Sequence, residues 1–233
     1  MSPNLTYIML HAGAFTFPFL LSFDKKVAFW RSWKYLFPAI LIVAALFVAW
    51  DIYFTKLGVW GFTPEYVLGY YLVNLPLEEV LFFITIPYCC IFIYACLEAY
   101  VKRDYFANVH RWITGAVMLI AFTLGFLHLD RYYTSWTGLI SGVLLAYLLF
   151  VEKAKWMGRF WMSYVVVLLP FFICNGILTS KPVVWYNDAE NLGIRMWTIP
   201  ADDLLYNLIM LLGVTFIFER LRSRRQAGNA ITA

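Results

Sequence analysis

The sequence predicts an all-α integral membrane protein with seven transmembrane helices, arranged as two parallel three-helix repeats joined by a linking helix. Three observations lead to this fold class. Hydrophobic residues make up 63% of the chain and charged residues only 14%, the hydrophobic residues fall into long blocks, and a Pro-x-acid-acid motif occurs twice. Soluble domains carry about 25% charged residues, so the composition excludes the soluble classes.

Each hydrophobic block has about twenty residues, which is the length that a helix needs to cross a hydrocarbon core about 30 Å thick. We predict spans at residues 4–23, 35–53, 76–98, 112–129, 135–151, 161–179 and 201–219. The predicted organisation is a first repeat at 1–104, a linking span at 105–131, a second repeat at 132–222 and a cytoplasmic tail at 223–233.

Basic residues concentrate in alternate loops, and this distribution predicts the orientation. The loops after spans one, three and five and the segment after span seven hold 14 of the 18 lysines and arginines. Short cytoplasmic loops carry an excess of Lys and Arg, so we predict an amino terminus outside the cell membrane and a cytoplasmic carboxy terminus. Nine of the 14 acids map to the outer side. The net charge of +4 reflects the inner-face bias and does not indicate a nucleic-acid partner.

The motifs NLPLEEVLFF at 74–83 and TIPADDLLYN at 198–207 indicate an internal repeat of three spans. Three spans by themselves would invert the second copy, but span four intervenes and restores its orientation. Parallel repeats of this kind, related by an axis along the membrane normal, occur in some transporter folds. The arrangement predicts that both motifs lie at the same membrane level.

The residues before the motifs give an expected register for the repeat. We match Leu57-Gly58 with Leu192-Gly193, and Trp60 with Trp197. This register leaves about eleven extra residues in the first copy, including FTPEYVLGYY.

Each motif places two adjacent acids at the head of a hydrophobic span, Glu78 and Glu79 in the first copy and Asp202 and Asp203 in the second. A carboxylate at the centre of a membrane helix costs about 2.5–3.5 kcal/mol. One interpretation is a solvated helix cap, since acids in a first turn complement the helix dipole and Pro often starts a helix. The other is acid–base chemistry, because two close carboxyls in a low-dielectric pocket cannot both ionise cheaply. Adjacent helix residues point about 100° apart, so we expect one member of each pair to face a cavity.

Other polar and aromatic residues lie near the motifs. Asn74 and Tyr206 are about one helical turn from an acid pair, where a side chain either orients a carboxyl or packs helices. The aromatic residues form either an interfacial belt or a wall that stabilises a carbocation. Arg195 is a candidate counter-ion or interface anchor, and Asp51 and Asp188, near the outer ends of spans two and six, are candidate supporting acids. The candidate substrate-binding residues are Asn74, Trp60, Tyr71, Phe82, Phe83, Trp197 and Tyr206.

Several common site motifs are absent from the sequence. It contains no GxGxxG fingerprint, no P-loop, no HExxH and no CxxC, so no nicotinamide, nucleotide or zinc site of the usual kinds is indicated. The four cysteines lie inside hydrophobic blocks without metal-site spacing, and we predict neither a disulfide nor a metal site. His11 in span one is predicted to be a packed, hydrogen-bonded histidine rather than a proton relay. A redox-neutral reaction on a lipid-soluble substrate fits these features.

PLEEVLFF, its counterpart IPADDLLY and the predicted 3+1+3 arrangement resemble the membrane-integral lycopene cyclase domain family over nearly the whole chain. In that family two three-helix units occur as separate subunits or fused in one chain. The resemblance implies that Glu78 and Glu79 do the acid and base work, with Asp202 and Asp203 as a second or supporting set. It implies no cofactor, and as partners it implies lycopene, membrane lipid and other carotenoid enzymes.

The reaction implied by the resemblance closes the acyclic ψ ends of lycopene into β-ionone rings. A carboxylic acid protonates C2 of the terminal C1=C2 bond, and the C5=C6 bond attacks the cation at C1. A base then removes a proton from C6, which gives a β ring, or from C4, which gives an ε ring. The reaction involves no net oxidation, which agrees with the absence of cofactor fingerprints.

Three alternatives remain at this stage. A C50 carotenoid cyclase or a carotenoid hydratase would use the same cation chemistry. An intramembrane prenyltransferase needs two Asp-rich motifs, and the sequence offers only Asn74-x-x-x-Glu78. A proton-coupled transporter would also use paired acids, although helices so rich in aromatic residues line a water path poorly.

Overall fold

The computed structural model describes the backbone of residues 3–231 and the side chains of residues 3–225. Its core is a bundle of seven helices, each long and apolar enough to cross a membrane. The all-α fold class is therefore confirmed. The helices are α1 Thr6–Leu21, α2 Trp33–Leu57, α3 Leu77–Tyr100, α4 His110–Leu127, α5 Tyr132–Ala146, α6 Met157–Ser180 and α7 Asp202–Ile231.

Two helices run past the spans predicted from hydrophobicity. Helix α2 continues to Leu57 and ends at Gly58, whose left-handed φ of 73° lets its amide donate to the Thr55 carbonyl oxygen. Such a glycine is a common end of a helix because no Cβ opposes the left-handed conformation. Helix α7 continues to Ile231, through the first part of the predicted tail, since polar residues can prolong a helix beyond the hydrophobic block. The domain boundaries themselves stay a prediction.

Three short strand pairs join the helices at one end of the bundle, and the sequence analysis did not predict them. Strands of two or three residues are too short to show the period-two alternation by which strands are recognised. The strands are β1 Trp60–Phe62, β2 Tyr71–Leu72, β3 Leu75–Pro76, β4 Val184–Tyr186, β5 Arg195–Met196 and β6 Ile199–Pro200. Strands β2–β3 and β5–β6 form two hairpins, while β1 pairs with β4 from the other half of the chain.

The structure corrects the register of the repeat. The partner of Leu192-Gly193 is Leu68-Gly69, not Leu57-Gly58, because Gly69 and Gly193 both adopt a left-handed φ, of 85° and 75°. Each precedes a hairpin whose tip holds a non-glycine residue at φ 60°, Val73 or Trp197. Trp197 therefore corresponds to Val73 and not to Trp60.

Backbone hydrogen bonds extend this register over the whole segment before the acids. The Thr63 amide donates to the Val183 carbonyl oxygen at 3.0 Å, and the Asn187 amide donates to Val59 at 2.9 Å. Val59 and Val183 are 124 positions apart, and so are Thr63 and Asn187, so each bond is the repeat counterpart of the other. The same offset of 124 relates Glu79 to Asp203. Residues 59–79 thus correspond to 183–203 without a gap, and the first copy has no extra segment.

Helix packing brings the two acid pairs to one end of the bundle. Helix α1 packs on α3, α5 packs on α7, and α2 contacts both α3 and α7. Helix α4 packs mainly on α5, where the Gly138 and Gly125 backbones approach so closely that a Cβ on Gly138 would lie 2.7 Å from the Gly125 amide nitrogen. The end that carries both hairpins is called the hairpin end below, and the opposite end, where Arg159 and Arg222 lie, the basic end.

Candidate active site

A cavity of about 580 Å³, including its mouth, lies under the hairpins at the hairpin end. Its lining residues come from both halves of the chain, and most occupy corresponding positions. They include the pairs Tyr7 and Tyr133, Asp51 and Asn175, Trp60 and Val184, Phe62 and Tyr186, Glu79 and Asp203, and Phe82 and Tyr206. The cavity therefore lies between the two repeats, and three carboxyl side chains reach it.

Glu79 is the first of these carboxyls and lies in the first turn of α3. Its side chain is only 8% exposed, and its Oε2 accepts a hydrogen bond of 2.5 Å from the Tyr7 hydroxyl. Its Oε1 has no hydrogen-bond partner among the described residues, and the Glu79 side chain lines the cavity. One oxygen is thus held by a tyrosine while the other is directed at whatever occupies the cavity.

Asp203 is the corresponding acid of the second half, but both of its oxygens are occupied. The Tyr133 hydroxyl donates to Oδ1 at 2.6 Å and the Tyr186 hydroxyl donates to Oδ2 at 3.0 Å. Burial and, second to it, the negative charge of Asp203 raise the pKa of Tyr186, which lies in β4 outside the helices. Tyr186 therefore remains a hydrogen-bond donor at any physiological pH, and two donors fix the Asp203 carboxylate.

Asp51 is the third carboxyl and comes from the last two turns of α2, where it is only 2% exposed. Its Oδ1 accepts a hydrogen bond of 2.5 Å from the Tyr206 hydroxyl, and its Oδ2 has no hydrogen-bond partner among the described side chains. The residue that corresponds to Asp51 in the second half is Asn175, which also lines the cavity. The two halves are thus alike in backbone but differ in charge at this position.

The first members of the acid pairs, Glu78 and Asp202, point away from the cavity. Glu78 Oε1 accepts the Leu68 amide at 2.6 Å, and Asp202 Oδ2 accepts the Leu192 amide at 3.1 Å. Thr134 also donates to Asp202. Each of these acids ties the loop before a hairpin to the start of the following helix. The expectation that one member of each pair faces the cavity is confirmed. The other member is not a solvated cap, because Glu78 and Asp202 are only 0% and 4% exposed.

Aromatic rings surround the acids in the cavity. The Trp60 ring lies 5.0 Å from Tyr133 and 5.9 Å from Tyr206, measured between ring centroids. Tyr133 stacks on Tyr186 at 6.1 Å, and Phe82 lies in the wall on the α3 side. Aromatic faces attract cations within about 6 Å of the ring centroid. This wall is therefore suited to a substrate that becomes positively charged.

Four of the residues expected to bind the substrate lie elsewhere. Asn74 sits in the first hairpin, where its side chain donates to the Ile52 carbonyl oxygen, and Tyr71 is exposed on β2. Phe83 is buried in the helix core against Phe47. Trp197 is 78% exposed at the tip of the second hairpin, because the true register places it at a turn.

Asp188 and Arg195 form an exposed ion pair outside the cavity, with 2.5 Å between Arg195 Nη2 and Asp188 Oδ1. Hydrogen bonds from Asn191 and then Arg195 lower the pKa of the Asp188 carboxyl. Asp188 lies beyond β4, not at the end of α6, so it is not the counterpart of Asp51. The expectation that Asp188 lies near the outer end of span six is wrong, since α6 ends at Ser180 and β4 intervenes.

Sequence reasoning missed the tyrosines that hold the acids, Tyr7, Tyr133 and Tyr186. Tyr7 and Tyr133 both lie in the first turn of the first helix of a repeat, a signal that the correct register would have revealed. His11, by contrast, is buried and hydrogen-bonded through Nδ1 to Thr85 at 2.7 Å, as the sequence predicts.

Comparison with known families identifies two matching segments, one in each half of the chain. The family model described as lycopene cyclase matches residues 4–97 and 130–221. These two segments make up well over half of the 233 residues, and each contains one hairpin and one acid pair. The chain belongs to the lycopene cyclase family. Both cavity-facing acids of the motifs, Glu79 and Asp203, lie inside the segments that the lycopene cyclase model matches.

Three curated proteins are similar to this chain, and each is named a bifunctional lycopene cyclase/phytoene synthase. The chain is 25% identical to the one from Aspergillus oryzae over 87% of its own length and 35% of that protein. For Neurospora crassa the identity is 29% over 71% of this chain and 29% of the relative. The identity to the protein from Aspergillus niger is 27% over 85% of this chain and 33% of the relative. The chain thus spans about a third of the length of these relatives. No solved structure matches it.

Proposed function

We propose that this protein is a lycopene cyclase that converts the ψ ends of lycopene into β-ionone rings in carotenoid biosynthesis. The observation that carries the proposal is Glu79, which is buried, held through one oxygen by Tyr7 and directed through the other into an aromatic cavity. Membership of the lycopene cyclase family supplies the reaction class. The names of the fungal relatives include the same activity.

The first step is proton transfer from Glu79, acting as the carboxylic acid, to C2 of the terminal C1=C2 bond. Tyr7 donates its hydrogen bond to Oε2, so the proton resides on Oε1, which faces the cavity. The same bond stabilises the carboxylate that remains after transfer, since a hydrogen bond to a charged oxygen is stronger than one to a neutral oxygen. The π electrons of the alkene form the new C–H bond, and C1 becomes a tertiary cation.

The second step closes the ring by attack of the C5=C6 π bond on C1, which moves the cation to C5. The carboxylate of Asp203, fixed by Tyr133 and Tyr186, stabilises this charge together with the rings of Trp60 and Tyr206. Preorganised groups of this kind cost no reorganisation at the moment of reaction. They favour the cyclic cation over its return to the open chain.

The last step is loss of the C6 proton, which forms the C5=C6 double bond of the β ring. We assign this proton to Asp51, because Oδ2 has no hydrogen-bond partner whereas both oxygens of Asp203 accept tyrosine hydrogen bonds. One proton enters at C2 and one leaves from C6, so the ring is an isomer of the starting end group. The reaction needs no oxidant and no reductant.

The protein lies in the cell membrane in this proposal, with the hairpin end outside and the basic end in the cytoplasm. The support is the distribution of Lys and Arg, 14 of 18 of which fall in the loops of the basic end and in the segment after span seven. A reporter enzyme that is active only in the cytoplasm, fused to the carboxy terminus, is expected to be active. Activity of a periplasmic reporter at that position instead would contradict the orientation.

Expression in a bacterial host that accumulates lycopene tests the function. The expected result is conversion of lycopene to γ-carotene or β-carotene, measured by pigment chromatography and mass spectrometry. The control is the same host with an empty vector. Unchanged lycopene while the full-length protein is present in the membrane would refute the proposal, and a product heavier by one water would identify a hydratase.

A further inference from the structure

A second cavity, of about 460 Å³, lies at the basic end between the start of α4 and the turn that joins α5 to α6. Half of its lining is basic: His110, Arg111, Lys153 and Lys155. The other half is apolar and consists of Leu148, Leu149, Ala154 and Met157. The cavity therefore combines positive charge with a hydrophobic floor, and it is separate from the site under the hairpins.

The positive charge in this cavity has no acidic partner among the described residues. None of the four basic side chains of the cavity forms an ion pair with a described residue. By contrast, Arg222, also at the basic end, pairs with Glu98. Of the nearby acids, Asp104 lies close to His110 and accepts the Phe106 amide, and Glu152 faces Arg220 at 4.0 Å. Neither pairs with Arg111, Lys153 or Lys155.

The start of α4 gives a second sign that an anion belongs in the cavity. His110 and Arg111 also form the first turn of α4, which contains no acid. A positive side chain is unfavourable beside a helix amino terminus, and an anion in the cavity would compensate the charge of Arg111.

The position of the cavity indicates where the anion comes from. Trp112 follows the basic pair and is 81% exposed, and tryptophans concentrate at the level of the lipid head groups. Basic pockets between transmembrane helices on the cytoplasmic side bind the phosphates of anionic lipids. The apolar floor at Leu148, Leu149 and Met157 matches the glycerol and acyl part of such a lipid.

We propose that this cavity binds the phosphate group of an anionic phospholipid such as phosphatidylglycerol. Arg111, Lys153 and Lys155 neutralise the phosphate oxygens. The inference does not depend on the proposed cyclase activity, since the cavity lies at the opposite end of the bundle, but it uses the proposed orientation, in which the basic end faces the cytoplasm.

Native mass spectrometry of the full-length protein tests the site, after transfer into micelles that contain equal amounts of phosphatidylglycerol and phosphatidylcholine. The wild type is expected to retain phosphatidylglycerol in preference. The double variant Lys153→Gln, Lys155→Gln is expected to bind it about tenfold more weakly. The matched control Lys25→Gln, Lys102→Gln removes two exposed lysines from the same end outside the cavity, and its retention of the lipid should equal that of the wild type.

Three outcomes would overturn the proposal. Equal retention of the two lipids would do so, as would an equal loss in the cavity variant and the control, which would mark a diffuse charge effect. Displacement of the lipid by inorganic phosphate at equimolar concentration would show that the cavity takes free phosphate instead. Should the double variant fail to fold, Arg111→Gln, which changes one exposed side chain of the cavity, gives the same comparison.

Discussion

Replacement of Glu79 by Gln is expected to reduce cyclisation by at least about a hundredfold, since general acids contribute about 10²–10⁴-fold to enzymatic rates. Glutamine has the same length, and its carbonyl oxygen can still accept the hydrogen bond from Tyr7. Its amide group is far too weak an acid to protonate an alkene. The measurement is the initial rate at which isolated membranes convert lycopene, normalised to the amount of folded protein.

The matched control for this variant is Glu78→Gln, which changes the neighbouring acid of the same motif. Glu78 Oε1 accepts the Leu68 amide and does not reach the cavity, and a glutamine oxygen can accept the same bond. We expect cyclisation within about tenfold of the wild type and a lower unfolding temperature, because the amide group that replaces Oε2 would be enclosed without a hydrogen-bond partner. Full activity of Glu79→Gln, or an equal loss in a folded Glu78→Gln protein, would show that the assignment of the donor is wrong.

Replacement of Asp51 by Asn is expected to have the second large effect, again about a hundredfold or more on the rate, because it removes the proposed base. The change makes residue 51 identical to its counterpart Asn175 and preserves an oxygen that can accept from Tyr206. The C6 proton would then have no acceptor, and the cyclic cation would return to lycopene. Rates and products are measured as for Glu79→Gln.

Asp188→Asn is the control for this second variant, because it neutralises an acid at the same end of the bundle outside the cavity. Asp188 forms an exposed ion pair with Arg195, and exposed ion pairs contribute only about 0–1 kcal/mol to stability. Cyclisation should therefore be unchanged. A fully active Asp51→Asn protein would remove Asp51 from the mechanism and leave Asp203 as the remaining base.

The seven helices and the acid pairs were accessible from the sequence because each leaves a strong local signal. A block of about twenty apolar residues has few other interpretations, and Pro-x-acid-acid is conspicuous in a chain with only 14% charged residues. The different directions of the two side chains in each pair followed from helix geometry. Only one member of each pair faces the cavity, as the 100° rotation between adjacent residues led us to expect, and the structure identifies these members as Glu79 and Asp203.

The register of the repeat could not be determined from the sequence alone. The Leu-Gly dipeptide occurs at both 57–58 and 68–69, and only the left-handed φ at Gly69 and Gly193 distinguishes the true pair. The error carried over to Trp197, which was expected in the site and lies at a hairpin tip. Hairpins stabilised by tertiary contacts leave too short a pattern for sequence reasoning to detect.

The partners of the acids were missed for a different reason. The chain contains 16 tyrosines, and an interfacial belt explains most tyrosines of a membrane protein equally well. Tyr7, Tyr133 and Tyr186 become distinctive only when the bundle brings them within hydrogen-bond distance of Glu79 and Asp203. Contacts between residues about 70 positions apart in sequence, as in the Tyr7–Glu79 and Tyr133–Asp203 bonds, depend on the tertiary fold.

The two halves of the chain share a backbone and differ in chemistry, and the differences fall in the cavity. Glu79 corresponds to Asp203, Asp51 to Asn175, and Phe82 to Tyr206. A symmetric pair of sites would need the same acids in both halves. The asymmetry supports one composite site in which the first repeat supplies the proton donor and acceptor and the second supplies the fixed anion.

The most direct measurement of the central claim, redox-neutral acid–base cyclisation, is the isotope content of the product in heavy water. Purified protein in excess over lycopene is equilibrated in D₂O without any added cofactor, and the carotenoids are analysed by mass spectrometry and NMR. The account predicts one deuterium at C2 of each new ring, with the rest of the end group unlabelled. Rings that form without deuterium at C2, or only after an oxidant or reductant is added, would contradict it.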